Sequence, residues 1–494
     1  MKQSSKLFKI IGLLVVVGLL FAALPTGQVK AATIVNDESG LNAALASSET
    51  SIVLGADFPI TATKLINRTI NLDLNGKALT YATTAQSYAF DVVAGGALTV
   101  NNSTGTGSIS VTGALGRGIK VSGGGSLIVN GGTVSGQQMG VGVYGNITGS
   151  GPAVHSVATI NGGTIKGGPF PSYGVIVMGN NAELIVNGGL IEATGFGVAG
   201  NGTLIYAGTV IQINGGSIVS SGGTAMYLPQ TGLVNITGGS ITGPTGIEIR
   251  SGLLNVSGGT ITGTGTYVAT PGQYGSGSSP TGDAIFVNSD SGYAGDIDVT
   301  ITAGTISSIN SFALREFATL GVSESAIVIT GGAFSGGPAA VSFQTVDPAI
   351  LKLTGGEYNV DPAVFVFAPY GTYLVDPWWY IQSFPVALDD TYVTPHDKTL
   401  SIKAPGVLAN DKVLNLDVKT ATLVTNVSHG TLSLYGDGSF TYTPAPGFVG
   451  TDTFTYQLVT YPAPALAATW TDEALVTITV TPSPYIYYLP LIAK

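Results

Sequence analysis

The chain has 494 residues, a formal net charge of −10 and only 9% charged residues, with no Lys/Arg cluster beyond its N-terminus, which argues against nucleic acid as a partner. It has no Cys, which excludes disulfides, zinc–thiolate sites and cysteine nucleophiles. Its 72 Gly accompany apolar residues at regular intervals, so folded β structure is expected rather than disorder.

Residues 1–31 read as a secretory signal peptide. Lys2, Lys6 and Lys9 form a basic start, and Ile10 to Leu24 is an apolar core too short to span a membrane comfortably. Val29-Lys30-Ala31 places small residues for cleavage after Ala31, and no later stretch is long and apolar enough to span. Residues 32–80 read as an N-terminal cap, with a helix-like stretch at Leu41 to Leu45 followed by short strands. A cap is needed because an open sheet end invites edge-to-edge aggregation.

Residues 81–384 are organised by one recurring phrase, first clean at Leu127-Ile128-Val129-Asn130-Gly131-Gly132-Thr133-Val134. It returns at Ala158, Leu184, Ile211, Val234, Leu254, Val299, Ile327 and Leu351, a spacing that signals a solenoid. Alternation places Leu127 and Val129 on one face, and the glycines supply a tight corner before the next strand. Gly131, Gly162, Gly188 and Gly215 are expected to share positive φ or another glycine-favoured geometry, coil over coil. A third short strand recurs between phrases, as at Ile119 to Val121, Val141 to Val143 and Val175 to Val177. Three strands per coil without any helical period predict a parallel β-helix, right-handed by the general crossover rule. Asn130, Asn161, Asn187 and Asn214 precede the glycines in successive coils and are expected to hydrogen-bond in a ladder. Residues 263–282 are too long and too rich in Gly and Ser for a corner, so they predict a projecting loop. Residues 359–384 concentrate Phe365, Phe367, Tyr370, Trp378, Trp379 and Tyr380, which suits a lid on the last coil or a stacking surface for sugar rings.

Residues 385–482 form a different module of short alternating strands separated by Gly and Pro. Ala387-Leu388-Asp389-Asp390-Thr391-Tyr392, Gly406-Val407-Leu408-Ala409-Asn410-Asp411, Asp437-Gly438-Ser439-Phe440 and Gly450-Thr451-Asp452-Thr453-Phe454 carry a resemblance to the bacterial cadherin-like domain of surface adhesins. The resemblance implies an antiparallel β-sandwich in an extended surface protein. It also implies calcium as a cofactor, held by Asp389, Asp390, Asn410, Asp411 and Asp452, the oxygen ligands a hard cation takes. The same side chains serve equally well as turn and cap hydrogen-bond partners. Lys412 to Leu416 replace the acidic run usual after Asn-Asp. Residues 483–494 form a tail, Tyr485-Ile486-Tyr487-Tyr488-Leu489-Pro490, without the sequence of a sortase signal.

The solenoid also resembles the pectate-lyase-like proteins in fold, and fold alone does not carry function. No catalytic residue is assigned: Glu248 and Arg250 share a strand face and read as a solvent-facing ion pair. The expected architecture is therefore all-β, a right-handed parallel β-helix followed by an antiparallel β-sandwich. The expected role is a secreted or cell-surface structural and adhesive protein with a polysaccharide or cell-surface glycan as partner; the alternative is a polysaccharide lyase or hydrolase. A glycan would meet the 263–282 loop, with Tyr267 and Tyr274 as stacking rings and Asp283 and Asp290 accepting hydroxyl hydrogen bonds.

Overall fold

The computed structural model describes residues 31–147, 154–169, 171–200, 206–269, 279–289, 293, 295–318, 325–344, 346–367, 370–383, 385–413, 418–461 and 470–482. Tyr274, Asp290, nearly all of the signal segment and the 483–494 tail lie outside them.

The coil around the first clean phrase shows how the sequence folds. Ser126–Val129, Thr133–Gly136 and Met139–Tyr144 are its three strands. Each pairs in parallel with its counterpart in the next coil, so that Leu127 meets Ala158, Val134 meets Ile165 and Val141 meets Val175. Leu127, Val129, Val134, Val141 and Val143 point inward and are fully buried. Coil after coil this stacks aliphatic side chains into one continuous core, each contributing roughly 1.5–3 kcal/mol by leaving water. The first and second strand series, together with the terminal hairpin strands Tyr370–Val375 and Trp378–Ser383, make one sheet of 25 strands, since Gly252–Thr266 and Ile297–Asn310 run through their corners. The third strands make a separate sheet of 11, all parallel, from Lys64–Ile66 to Val341–Ser342.

The corner differs from expectation in one respect. The second glycine of each pair, not the first, takes positive φ: Gly132 at 77°, Gly163 at 75°, Gly189 at 78° and Gly216 at 76°. The first glycine is required by close approach instead. A Cβ on Gly162, Gly188 or Gly215 would lie 2.5–2.6 Å from the carbonyl oxygen of the Asn one coil earlier. Beside the corner the amide ladder is present. Each Asn Nδ2 donates to the Oδ1 of the previous coil along Asn101, Asn130, Asn161, Asn187 and Asn214, at 2.8–2.9 Å. Thr237 closes it with a hydroxyl bond to Asn214 at 3.0 Å.

Both ends of the stack are covered. At the N-terminal end, Glu38–Ala46 forms a helix capped by Asp37, whose carboxylate accepts from Gly40 N at 2.7 Å, and it buries Leu41 and Ala44. At the other end Tyr370–Val375 and Trp378–Ser383 form a hairpin that pairs antiparallel with Glu357–Tyr358. Tyr358, fully buried, stacks on Phe334 at 5.1 Å, while Phe365, Phe367, Tyr370 and Trp379 pack against the same core.

The C-terminal domain is a sandwich of a four-stranded and a three-stranded sheet around Phe440, Tyr442, Phe454, Tyr456, Val476 and Ile478. Its pairings are antiparallel except one: Asp390–Pro395 runs parallel to Trp470–Thr481.

Candidate functional site

The outward face of the 11-stranded sheet carries two buried ion pairs and an open groove, and its two halves are built differently. Over the later coils Tyr227, Glu248, Phe286 and Arg315 succeed one another in register, one per coil. Strands Thr224–Leu228, Thr245–Ile249 and Ile285–Ser289 are buried on both faces. Glu248 and Arg250 are paired at 2.7 Å and both are buried, so the pair is internal rather than solvent-facing. Asn288 donates to Glu248 at 3.1 Å. Burial pushes the Glu248 carboxyl upward, and the Arg250 charge opposes this.

Tyr293 covers this pair. Its ring lies 4.8 Å from the Arg250 guanidinium and its hydroxyl is 2.8 Å from that of Tyr227. Arg315 is held similarly. It pairs with Asp283 at 2.6 Å, lies 5.3 Å from the Tyr267 ring and donates to Val268 O at 2.8 Å. Of the residues expected to meet a glycan, Tyr267 is exposed and packs edge-on against Phe312 at 5.6 Å. Asp283 is fully buried behind it and also accepts from Ser311 and from Phe312 N. The structure thus brings Tyr267 and Asp283 together through Arg315 and commits the Asp283 carboxylate to internal partners.

Over the earlier coils the same face is open. A groove of about 750 Å³ runs across Tyr88–Val92, Arg117–Ser122, Met139–Tyr144 and Tyr173–Met178. Tyr88, Arg117, Met139 and Tyr173 form one wall in register, and Asp91, Lys120, Gly142 and Ile176 form the floor. Arg117 donates to Gln138 Oε1 at 2.7 Å and to the Tyr88 hydroxyl at 3.1 Å; Lys120 pairs with Asp91 at 3.2 Å. Tyr144 lies across Gly142: its Cε2, Cζ and Oη come 2.5–2.9 Å from where a Cβ of residue 142 would sit. Its hydroxyl meets that of Tyr88 at 2.9 Å. Burial, reinforced by Tyr88, holds the Tyr144 phenol well above its ordinary value, so it stays neutral. Sequence reasoning missed this groove, although the strands at Ile119, Val141 and Val175 were identified. The available signal was Gly142 followed two residues later by Tyr144, on a strand whose other residues are Met139, Gly140, Val141 and Val143.

In the sandwich the five expected calcium ligands do not form one set. Asp452 sits two strands and two residues from Asp390, roughly 10 Å or more away. It caps a turn, accepting from Ser428 N, His429 N and the Tyr442 hydroxyl, and these bonds hold its carboxyl below the usual range despite burial. Asp389 accepts from Leu475 N, and Asn410 donates to the carbonyls of Leu388 and Asp389. Asp411 accepts from Leu388 N at 2.8 Å and from the Tyr456 hydroxyl at 2.9 Å. Beside it Asp390 is pushed up to about 7 by burial and then by the Asp411 charge. Among the described residues no group of three or more His, Asp or Glu side chains is placed to hold a metal ion.

The bacterial cadherin-like domain family matches residues 383–482, the span of this sandwich. No curated protein matches the chain. A domain of this family is typical of extracellular surface proteins and suggests an adhesin-like structural role. No helix among the described residues is long and apolar enough to cross a membrane.

Proposed function

We propose that the protein is a secreted or cell-surface structural and adhesive protein, whose β-helix is a stiff element presenting a recognition face to a polysaccharide or cell-surface glycan. One observation carries this reading: a cadherin-like domain follows, in the same chain, a capped stack of parallel coils with an open outward groove. A stack closed at both ends does not lengthen by edge pairing, which suits display rather than polymerisation. The basic, apolar start of the chain supports export.

The test is protease shaving of intact cells with parallel adhesion assays using beads coated with the purified chain. The expected result is release of the protein from the cell surface or its recovery from the medium, with bead capture by glycan-bearing surfaces. Retention inside the cell, or no capture by any surface, would overturn the proposal.

A further inference from the structure

We propose that the groove across Tyr88, Lys120, Tyr144 and Tyr173 is a binding site for an acidic glycan, with a sugar ring lying on Tyr144 and its anionic group facing Arg117 and Lys120. This rests on the adhesive reading above and names the site and ligand class within it.

Three features converge. The first is the platform. A tyrosine at an outward strand position ordinarily stands away from the sheet, but Gly142 has no side chain, and Tyr144 lies across the gap it leaves. The Cε2–hydroxyl edge of the ring sits at Gly142, the ring lines the groove, and the hydroxyl is fixed by Tyr88. A flat, immobilised ring with a polar rim is the surface on which the apolar face of a sugar packs. Tyr173, stacked on Phe196 at 5.4 Å, stiffens the neighbouring wall.

The second feature is charge. Arg117, Lys120 and Asp91 are the three charged side chains lining the groove, which leaves it one positive charge in excess within a chain of net charge −10. Arg117 is held by Gln138 and Tyr88 through two of its five donors, so the guanidinium is positioned before any ligand arrives. A preorganised cation beside an aromatic platform favours a saccharide bearing carboxylate or sulfate over a neutral one.

The third is the roofed half of the same sheet. There the protein supplies its own guest: the hydroxylated ring of Tyr293 rests on Arg250 and is hydrogen-bonded to Tyr227. The open half carries the same set from its own residues, the Tyr88 ring 5.4 Å from Arg117 and the Tyr88 hydroxyl on that of Tyr144. The face therefore accommodates hydroxyl-bearing rings beside a guanidinium, and over the earlier coils a groove stays open next to them.

The experiment is calorimetric titration of the full mature chain with three probes: a uronic-acid oligosaccharide, a sulfated oligosaccharide and a neutral glucose oligosaccharide of equal length. At least one acidic probe should bind, more tightly than the neutral one and more weakly as salt rises. The better acidic probe identifies the anionic group. Tyr144→Ala should weaken binding roughly tenfold or more. Gly142→Val leaves Tyr144 in the sequence but displaces its ring, and it should weaken binding to a similar degree. Arg117→Gln should erase the preference for the acidic probe. Thermal melting of each variant separates lost binding from lost fold. Three results would overturn the site: acidic binding unchanged in folded Tyr144→Ala and Gly142→Val, equal binding of neutral and acidic probes, or no binding of any probe. Surface location and bead capture persisting in that last case would leave the adhesive reading standing.

Discussion

Asp390 offers a quantitative test of the electrostatics in the cadherin-like domain. Its Oδ2 is buried without a hydrogen-bond partner, and burial plus the Asp411 charge raise the group from its ordinary 3.8 to about 7. The folded state therefore holds a proton that the unfolded chain releases. Asp390 contributes its full stability below about pH 4, and that contribution is lost as pH rises from about 4 to about 7. The difference of about three units sets an upper bound of about 4 kcal/mol at about 1.4 kcal/mol per unit. The side chain is only half-buried, so solvent screening reduces this to about 1–2 kcal/mol. Asp390→Asn cannot ionise and keeps a polar group beside the Tyr392 hydroxyl. The variant should match the parent near pH 4 and exceed it by about 1–2 kcal/mol near pH 8. Urea unfolding in chelator, read by hydrogen exchange of strand Gly450–Tyr461, measures both. An unchanged difference at the two pH values would refute the reasoning. A variant less stable than the parent near pH 8, in calcium but not in chelator, would show that the carboxylate holds a cation.

Three further substitutions probe the solenoid. Gly189→Ala places a side chain at φ 78° with its Cβ 2.7 Å from Gly163 O, and should cost about 1–3 kcal/mol in urea unfolding; an unchanged midpoint would remove the corner argument. Arg315→Met strands the fully buried Asp283 carboxylate, and should cost about 3–5 kcal/mol and increase proteolysis near Tyr267. Asn161→Ala removes a donor and an acceptor from an exposed ladder, at about 1 kcal/mol by thermal melting; a loss several times larger would mean that the ladder is cooperative.

The architecture was legible because its determinants are local and repeat. A corner needs glycines, an inward position needs an aliphatic residue, and both recur with every phrase from Leu127 to Tyr358. The ladder was legible for the same reason, since Asn130, Asn161, Asn187 and Asn214 hold one place in the motif. Which glycine takes positive φ was not, because Gly131 and Gly132 are the same residue type and only backbone geometry separates their roles. The carboxylate of Asp283 was legible as chemistry but not as environment. Its partner Arg315 lies one coil on, and its burial depends on the residues that fold over the face.

That dependence explains why, in the sequence, residues 263–282 read as the ligand site and the groove does not. A long insertion is visible in one dimension, and an acid beside two tyrosines reads as a binding surface. In three dimensions Tyr267 and Asp283 converge on Arg315, and Tyr293 does the same for Arg250, so the described part of the roof covers the face. The groove leaves no such mark, because its residues come from four coils of unequal length. Tyr88, Arg117, Met139 and Tyr173 are neighbours only once register is known. Gly142, read alone, is one more glycine in a chain of 72. Its meaning comes from the ring that lies where its side chain would be. The strand surrounding it is regular, so Gly142→Val tests recognition with little disturbance to the coil.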